Sequence, residues 1–219
     1  MVQAVPATEV TLRQLKQKFH LEKVQTPVYF AEAANVPSLA DEGDLRLLDR
    51  VKSNFLELME DPPMLENSVK MVVLAPLLDL SGFYQKPFRI ETETSVKIEM
   101  QDEGVLIRGR IDVLVLQRQL WMLVIESKRS DFAVTRAIPQ ALSYMLANPV
   151  LTDRESNRPT FGMITNGNEF LFLKVARQDA VAQSLQYANS RLFSLINPQN
   201  ELYEVLSLMR QLGQQAITV

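Results

Sequence analysis

The chain has 219 residues, 47% hydrophobic and 22% charged, with a net charge of −3 and a pI near 5.4. That suits one soluble domain with a proper core, and it excludes wholesale disorder and a surface coated in nucleic-acid-binding charge. With no cysteine and one histidine, His20, disulfides, thiolate nucleophiles, Cys-based zinc sites and multi-histidine metal centres are excluded as well.

Residues 11–24 read as a short amphipathic helix capped by Thr11, with Leu12, Leu15 and Phe19 at helical spacing. An irregular connection over 27–37 leads to a longer helix, 41–60, with Leu45, Leu48, Val51, Phe55 and Leu58 on one face and Asp61-Pro62-Pro63 as its stop. A third helix, 66–80, buries Val69, Val73, Leu77 and Leu80, is kinked or shortened by Pro76 and ends at Gly82. Glu66 lies in line with its buried stripe.

The pattern then changes to period two. Residues 88–99 alternate, with Ile90, Thr92, Thr94, Val96 and Ile98 expected on one side of a half-exposed strand. A turn at Asp102-Glu103-Gly104 leads to two apolar strands, 105–116 and 120–128. A helix over 133–147, distorted early by Pro139 and ended by Pro149, precedes strands 160–164 and 170–175 around the hairpin signal Asn166-Gly167. A short strand over 191–196 and a helix over 199–212, closed by Gly213, finish the chain. The order predicts a mixed α/β domain with one central sheet.

Two of these strands carry charge where a buried strand should have none. Asp112 follows Gly109-Arg110-Ile111, and Glu126-Ser127-Lys128 ends the next strand. Buried charge costs several kcal/mol unless it is paired or bound to a metal. Glu126 and Lys128 share a strand face, and a connection centred near Gln119 sets Asp112 across from Glu126, close enough for both carboxylates to ligate one ion. Two hard oxygen donors, with the Ser127 carbonyl as a third, suit Mg²⁺ or Mn²⁺ rather than zinc. Lys128 then stands beside a bound water, and Gly109 permits close approach to the strand. The plainer alternative is a structural salt bridge, with Glu66 as a helix N-terminal acid and Gln140 and Tyr144 as a packing pair one helical turn apart. Arg110, Arg129 and Arg136 are candidate phosphate contacts or solvated surface charge.

These residues resemble the PD-(D/E)xK nuclease superfamily, and most nearly the N-terminal nuclease domain of type I restriction enzyme R subunits and its short standalone relatives in bacteria such as cyanobacteria. The resemblance rests on Gly-Arg-Ile-Asp at 109–112, Glu-Ser-Lys at 126–128, Gln140 and Tyr144 in Pro-Gln-Ala-Leu-Ser-Tyr, and Thr-Asn-Gly at 165–167, and it covers about 66–175. It implies a restriction-endonuclease-like α/β fold, a central mixed sheet flanked by helices, and a Mg²⁺-dependent DNA endonuclease. By the same resemblance Asp112 and Glu126 would bind metal, Lys128 would assist hydrolysis, Glu66 would complete the site, and Gln140 with Tyr144 would support it or position DNA. The implied division is a helical extension over 1–65, the nuclease core over 66–176 and a completing strand and helix over 177–219.

Ile111 stands where the superfamily pattern has proline. Nothing matches G-x-x-x-x-G-K-[ST], so no ATP is expected, and a motor, if used, belongs to another restriction-modification subunit. Cutting two strands takes two sites, which suggests a homodimer. Neither a membrane span nor a secretory signal is read, and a cytoplasmic setting is expected. A non-catalytic DNA- or partner-binding subunit that keeps the fold, and RNA as substrate, stay open.

Overall fold

The first two helices read from the sequence both start in capping boxes. In the computed structural model, Thr11 and Gln14 cap α1 (Leu12–Lys18), a single turn α2 (Ala31–Ala34) follows, and Asp41 and Asp44 cap α3 (Glu42–Leu58). The structure describes residues 3–34, 36–61, 63–100, 105–117, 120–152, 158–177 and 184–218. The expected turn at Asp102-Glu103-Gly104, Pro62 and the connection centre at Gln119 lie outside them.

Among the described residues nine strands form one mixed sheet. Its path runs β1 (Gln3–Pro6), β4 (Val105–Gln117), β5 (Leu120–Ser127), β6 (Thr160–Thr165), β7 (Glu169–Arg177), β8 (Leu185–Asn189) and β2 (Leu21–Lys23). Strand β3 (Phe88–Met100) pairs with β4, and β9 (Phe193–Ser194) with β7. The pairs β3–β4, β4–β5, β6–β7 and β7–β8 are antiparallel, whereas β1–β4, β5–β6 and β2–β8 are parallel. A parallel neighbour needs a crossover, and α6 (Ile138–Leu146) with α7 (Pro149–Thr152) provides the one between β5 and β6.

Helices cover both faces. On one side Leu48, Val51 and Phe55 of α3, Val69, Val73 and Leu77 of helix 66–80, and Val205, Leu208 and Met209 of α8 (Leu202–Thr218) pack on Val113, Val115, Leu123 and Ile125. On the other, Leu15 of α1 and Ala141, Leu142 and Met145 of α6 pack on Leu114, Leu116, Val124 and Ile164. Half-buried Arg210 ties α8 to the first layer, donating to the carbonyl of Leu80 and, at 2.6 Å, to Oδ2 of Asp44. No helix among the described residues is long and apolar enough to cross a membrane.

Several elements differ from the sequence-based expectation. The helix expected over 11–24 stops at Lys18, and residues 21–23 turn into β2 after His20, which takes a positive φ of 47°. With β1, this places two strands of the shared sheet in the stretch expected to be a helical extension. Helix 66–80 is continuous but changes register: α4 (Glu66–Val69) passes into a π-helical turn, Lys70–Leu74, and then α5 (Ala75–Leu80). Pro76 has no N–H for the carbonyl four residues back, and the π turn precedes it. Pro149 opens α7 rather than only closing α6. Helix α8 runs through Gly213, because that glycine serves packing: a Cβ there would sit 2.9 Å from the Phe83 ring.

The alternation expected along β3 also fails at its middle. Ile90 packs in the first core, whereas Val96 and Ile98 belong to the second. The same switch occurs across the ladder on β4, where Ile111 lies in the second core and Val113 in the first. Residues two apart on a regular strand share a face, so both strands turn over between these positions. The residues at the switch are Glu93, with φ 55°, and Asp112.

Candidate active site

The register of β4 against β5 pairs Val113 with Ile125 and Leu114 with Val124. One step further along this ladder Asp112, in the middle of β4, faces Glu126, near the end of β5 after the buried run Met122–Ile125. The face switch at Asp112 turns its carboxylate toward the next strand, where Oδ2 accepts the amide N–H of Ser127 at 2.8 Å. Its other oxygen, Oδ1, accepts a hydrogen bond from Lys70 Nζ at 2.6 Å.

Glu126 is 2% exposed. Its Oε1 accepts from Lys128 Nζ at 2.6 Å and from Gln140 Nε2 at 2.6 Å. Oε2 is buried with no hydrogen-bond partner. Burial, followed by the negative charges of Asp112 and Glu66 against the opposing charge of Lys128, pushes the Glu126 carboxyl up from 4.5 to about 8. A buried carboxylate with one bare oxygen is a poor resting state: it calls for a proton or a cation.

Second-layer contacts hold these groups. Gln140 and Tyr144 lie one turn apart on α6, and Gln140 Nε2 also donates to the Tyr144 hydroxyl at 2.9 Å. Burial and then the Glu126 charge raise the Tyr144 phenol above its ordinary value. The ring packs on Gly109, where a Cβ would come within 2.8 Å of the Tyr144 hydroxyl and 2.9 Å of Ala7 Cβ. Gly109 thus admits a side chain of the chain itself. The Lys128 amide donates to the Thr165 carbonyl at 2.8 Å, extending the β5–β6 ladder by one residue. Asn166 serves as more than a turn residue, because its carboxamide donates to the Phe132 carbonyl at 2.9 Å and fixes the loop that follows Lys128.

Of the residues singled out in the sequence, Asp112, Glu126, Lys128, Gln140 and Tyr144 thus form one hydrogen-bonded group, joined by the Ser127 amide. Half-buried Glu66 starts α4, near enough for its charge to act on Glu126. Arg110, Arg129 and Arg136 are exposed, Arg110 bonded to Glu93 and Arg129 to Asp131. Two members were not read from the sequence: Lys70, and Glu93, whose Oε1 lies 3.4 Å from Lys70 Nζ. Lys70 had a signal, since it stands four residues after Glu66 and shares its helix face. Burial alone would lower the Lys70 ammonium, but the hydrogen bond and charge of Asp112, with Glu93, hold it above its ordinary value.

Every acidic donor at the site is a hard oxygen. Among the described residues no group of three or more His, Cys, Asp or Glu is gathered tightly enough to cage a metal. An ion here would rest on Asp112, the bare oxygen of Glu126, a backbone carbonyl such as that of Ser127, and water. Few protein ligands and several waters are what Mg²⁺ accepts, so the residues present fit such an ion.

Comparison with known proteins places this geometry in a family. The model of the type I restriction enzyme R protein N terminus matches residues 29–181, well over half of the chain. The solved structures that match include a fragment described as an HsdR subunit of a type I restriction enzyme from Vibrio vulnificus YJ016, at 20% identity and a TM-score of 0.40. The match covers 71% of the present chain and 27% of that one, so the chain spans about a quarter of its length. No curated protein matches.

Proposed function

The chain belongs to the family of the type I restriction enzyme R protein N terminus, and on that premise we propose that it is a Mg²⁺-dependent DNA endonuclease. The observation that carries the proposal is the buried Glu126 oxygen without a partner, across the ladder from Asp112 and beside Lys128. Asp112, Glu126 and the Ser127 carbonyl would hold the ion, and Mn²⁺ would substitute. When bound, the ion supplies Lewis-acid stabilisation to a phosphodiester and makes a nearby water more acidic.

The chain's own residues do the rest. Lys128, fixed through its amide to Thr165 and through its ammonium to Glu126, orients the attacking water and stabilises charge that builds on a phosphate oxygen. Gln140 holds the Glu126 carboxylate in one orientation, and Tyr144 holds Gln140. Glu66 contributes through a second ion or a bound water. Exposed Arg110, Arg129 and Arg136 contact backbone phosphates. DNA translocation, where used, falls to a restriction-modification partner, and duplex cutting to two copies of the chain.

The test is a nuclease assay on single-stranded, double-stranded and branched DNA, with Mg²⁺ or Mn²⁺, with and without EDTA. Cleavage that needs the metal and is lost in folded Asp112→Ala and Lys128→Ala variants supports the proposal. Equal cleavage by wild type and both variants would overturn the residue assignment.

A second reading has its own observation: Lys70, the Ser127 amide, Lys128 and Gln140 already take three of the four carboxylate oxygens. This satisfied arrangement favours a non-catalytic DNA- or partner-binding subunit that keeps the fold for assembly. Absence of any Mn²⁺ binding in a calorimetric titration would select it.

A further inference from the structure

Lys70 lies on helix 66–80, 42 residues before Asp112 in sequence, and still makes one of the shortest contacts at the site, to Asp112 in the middle of β4. It opens the π-helical turn Lys70–Leu74, a helix irregularity that is frequent at functional sites. Its ammonium bridges two carboxylates: Asp112 Oδ1 at 2.6 Å and Glu93 Oε1 at 3.4 Å. Glu93 is also within 3.3 Å of Arg110 and sits at the left-handed residue where β3 turns over.

Charge at the site explains the arrangement. Asp112 and Glu126 repel each other, and each is matched by one ammonium, Lys70 and Lys128 respectively. A divalent cation that takes Asp112 as a ligand repels the Lys70 ammonium and needs the oxygen that Lys70 holds. Glu93 offers Lys70 another carboxylate within a short side-chain motion.

We propose that Lys70 is a built-in counter-cation of the metal site, which holds Asp112 in the metal-free protein and transfers to Glu93 when a divalent ion takes the Asp112 oxygen. The proposal rests on the reading of Asp112 as a metal ligand. Lys70 is a positioning residue in this scheme. It competes with the ion for one oxygen, keeps the two carboxylates from forcing each other apart, and sets a threshold of metal concentration below which the site stays closed.

The test is the affinity of the full chain for Mn²⁺, by calorimetric titration, in wild type, Lys70→Met, Glu93→Gln and Asp112→Asn. Met keeps an unbranched, helix-compatible side chain without the charge. Lys70→Met should bind Mn²⁺ about tenfold more tightly or better, as expected when a charged hydrogen bond no longer competes. It should also melt lower than wild type in EDTA, with the gap narrowing as Mn²⁺ is added. Glu93→Gln, which removes the receiving carboxylate but leaves Lys70 on Asp112, should bind Mn²⁺ several-fold more weakly and covers the case in which Lys70→Met folds poorly. Equal or weaker binding by a folded Lys70→Met, with Asp112→Asn binding lost, would overturn the role of Lys70 while leaving the metal site standing. No binding by wild type would overturn both.

Discussion

Gln140 and Lys128 converge on the same oxygen of Glu126, each at 2.6 Å, and leave the other oxygen bare. One carboxylate oxygen thus serves positioning, and the second is presented to a ligand. Gln140→Leu should remove the orientation without removing charge, and loss of such supporting partners costs 10–100-fold in metal affinity. A Mn²⁺ titration of Gln140→Leu checks this, with Tyr144→Phe expected to fall between it and wild type. An affinity unchanged in Gln140→Leu would mean that packing alone fixes Glu126.

Lys128 and Asp112 should separate in their effects. Lys128→Ala is expected to lower cleavage about 10²–10³-fold, the usual loss when one charge-stabilising donor is removed, while still binding Mn²⁺. Asp112→Ala should lose both. Parallel binding and single-turnover cleavage measurements distinguish the two. A Lys128→Ala variant that cleaves at the wild-type rate would remove Lys128 from the chemistry.

Glu126 gives the metal-free protein a pH dependence of known sign. With its carboxyl raised from 4.5 to about 8 in the fold, the folded state holds the proton through a window in which the unfolded chain has released it. Stability therefore falls as pH rises from about 4.5 to about 8. Melting temperatures in EDTA should show this decline in wild type and a flatter profile in Glu126→Gln. Identical slopes would mean that Glu126 ionises as freely in the fold as in the unfolded chain.

Gly109 is predicted to tolerate no side chain. A methyl there would meet the Tyr144 ring and lie 2.9 Å from Ala7 Cβ, and overpacking of this kind costs about 1–3 kcal/mol. Gly109→Ala should lower the melting temperature and, by displacing Tyr144 from Gln140, weaken Mn²⁺ binding. Unchanged melting would show that Ala7 and α6 yield without cost.

Much of this was legible because it is local. Capping chemistry marked Thr11, apolar runs marked β4 and β5, and Asn166-Gly167 marked the β6–β7 turn, where Gly167 takes a φ of 88°. Counting back from the β4–β5 connection put Asp112 opposite Glu126, even though the register shifts between Val115 and Leu116. What stayed hidden depends on distant partners. Strands β1, β2 and β8 are short, and β1 and β2 gain their structure by parallel pairing with residues far along the chain. The inversion at Glu93 and Asp112 breaks the two-residue period on which strand reading depends. The place of Lys70, four residues after Glu66, was legible, but its partner was not, because the fold brings β4 and Asp112 to this helix from 42 residues away.

The central claim is that Asp112 and Glu126 share one divalent ion. Anomalous scattering from crystals of the wild-type chain grown with Mn²⁺ tests it most directly. The account predicts one strong peak about 2.0–2.3 Å from an Asp112 oxygen and from Oε2 of Glu126, with the Lys70 ammonium moved off Asp112. Saturating Mn²⁺ with no peak there, and Lys70 still bonded to Asp112 Oδ1, would contradict it.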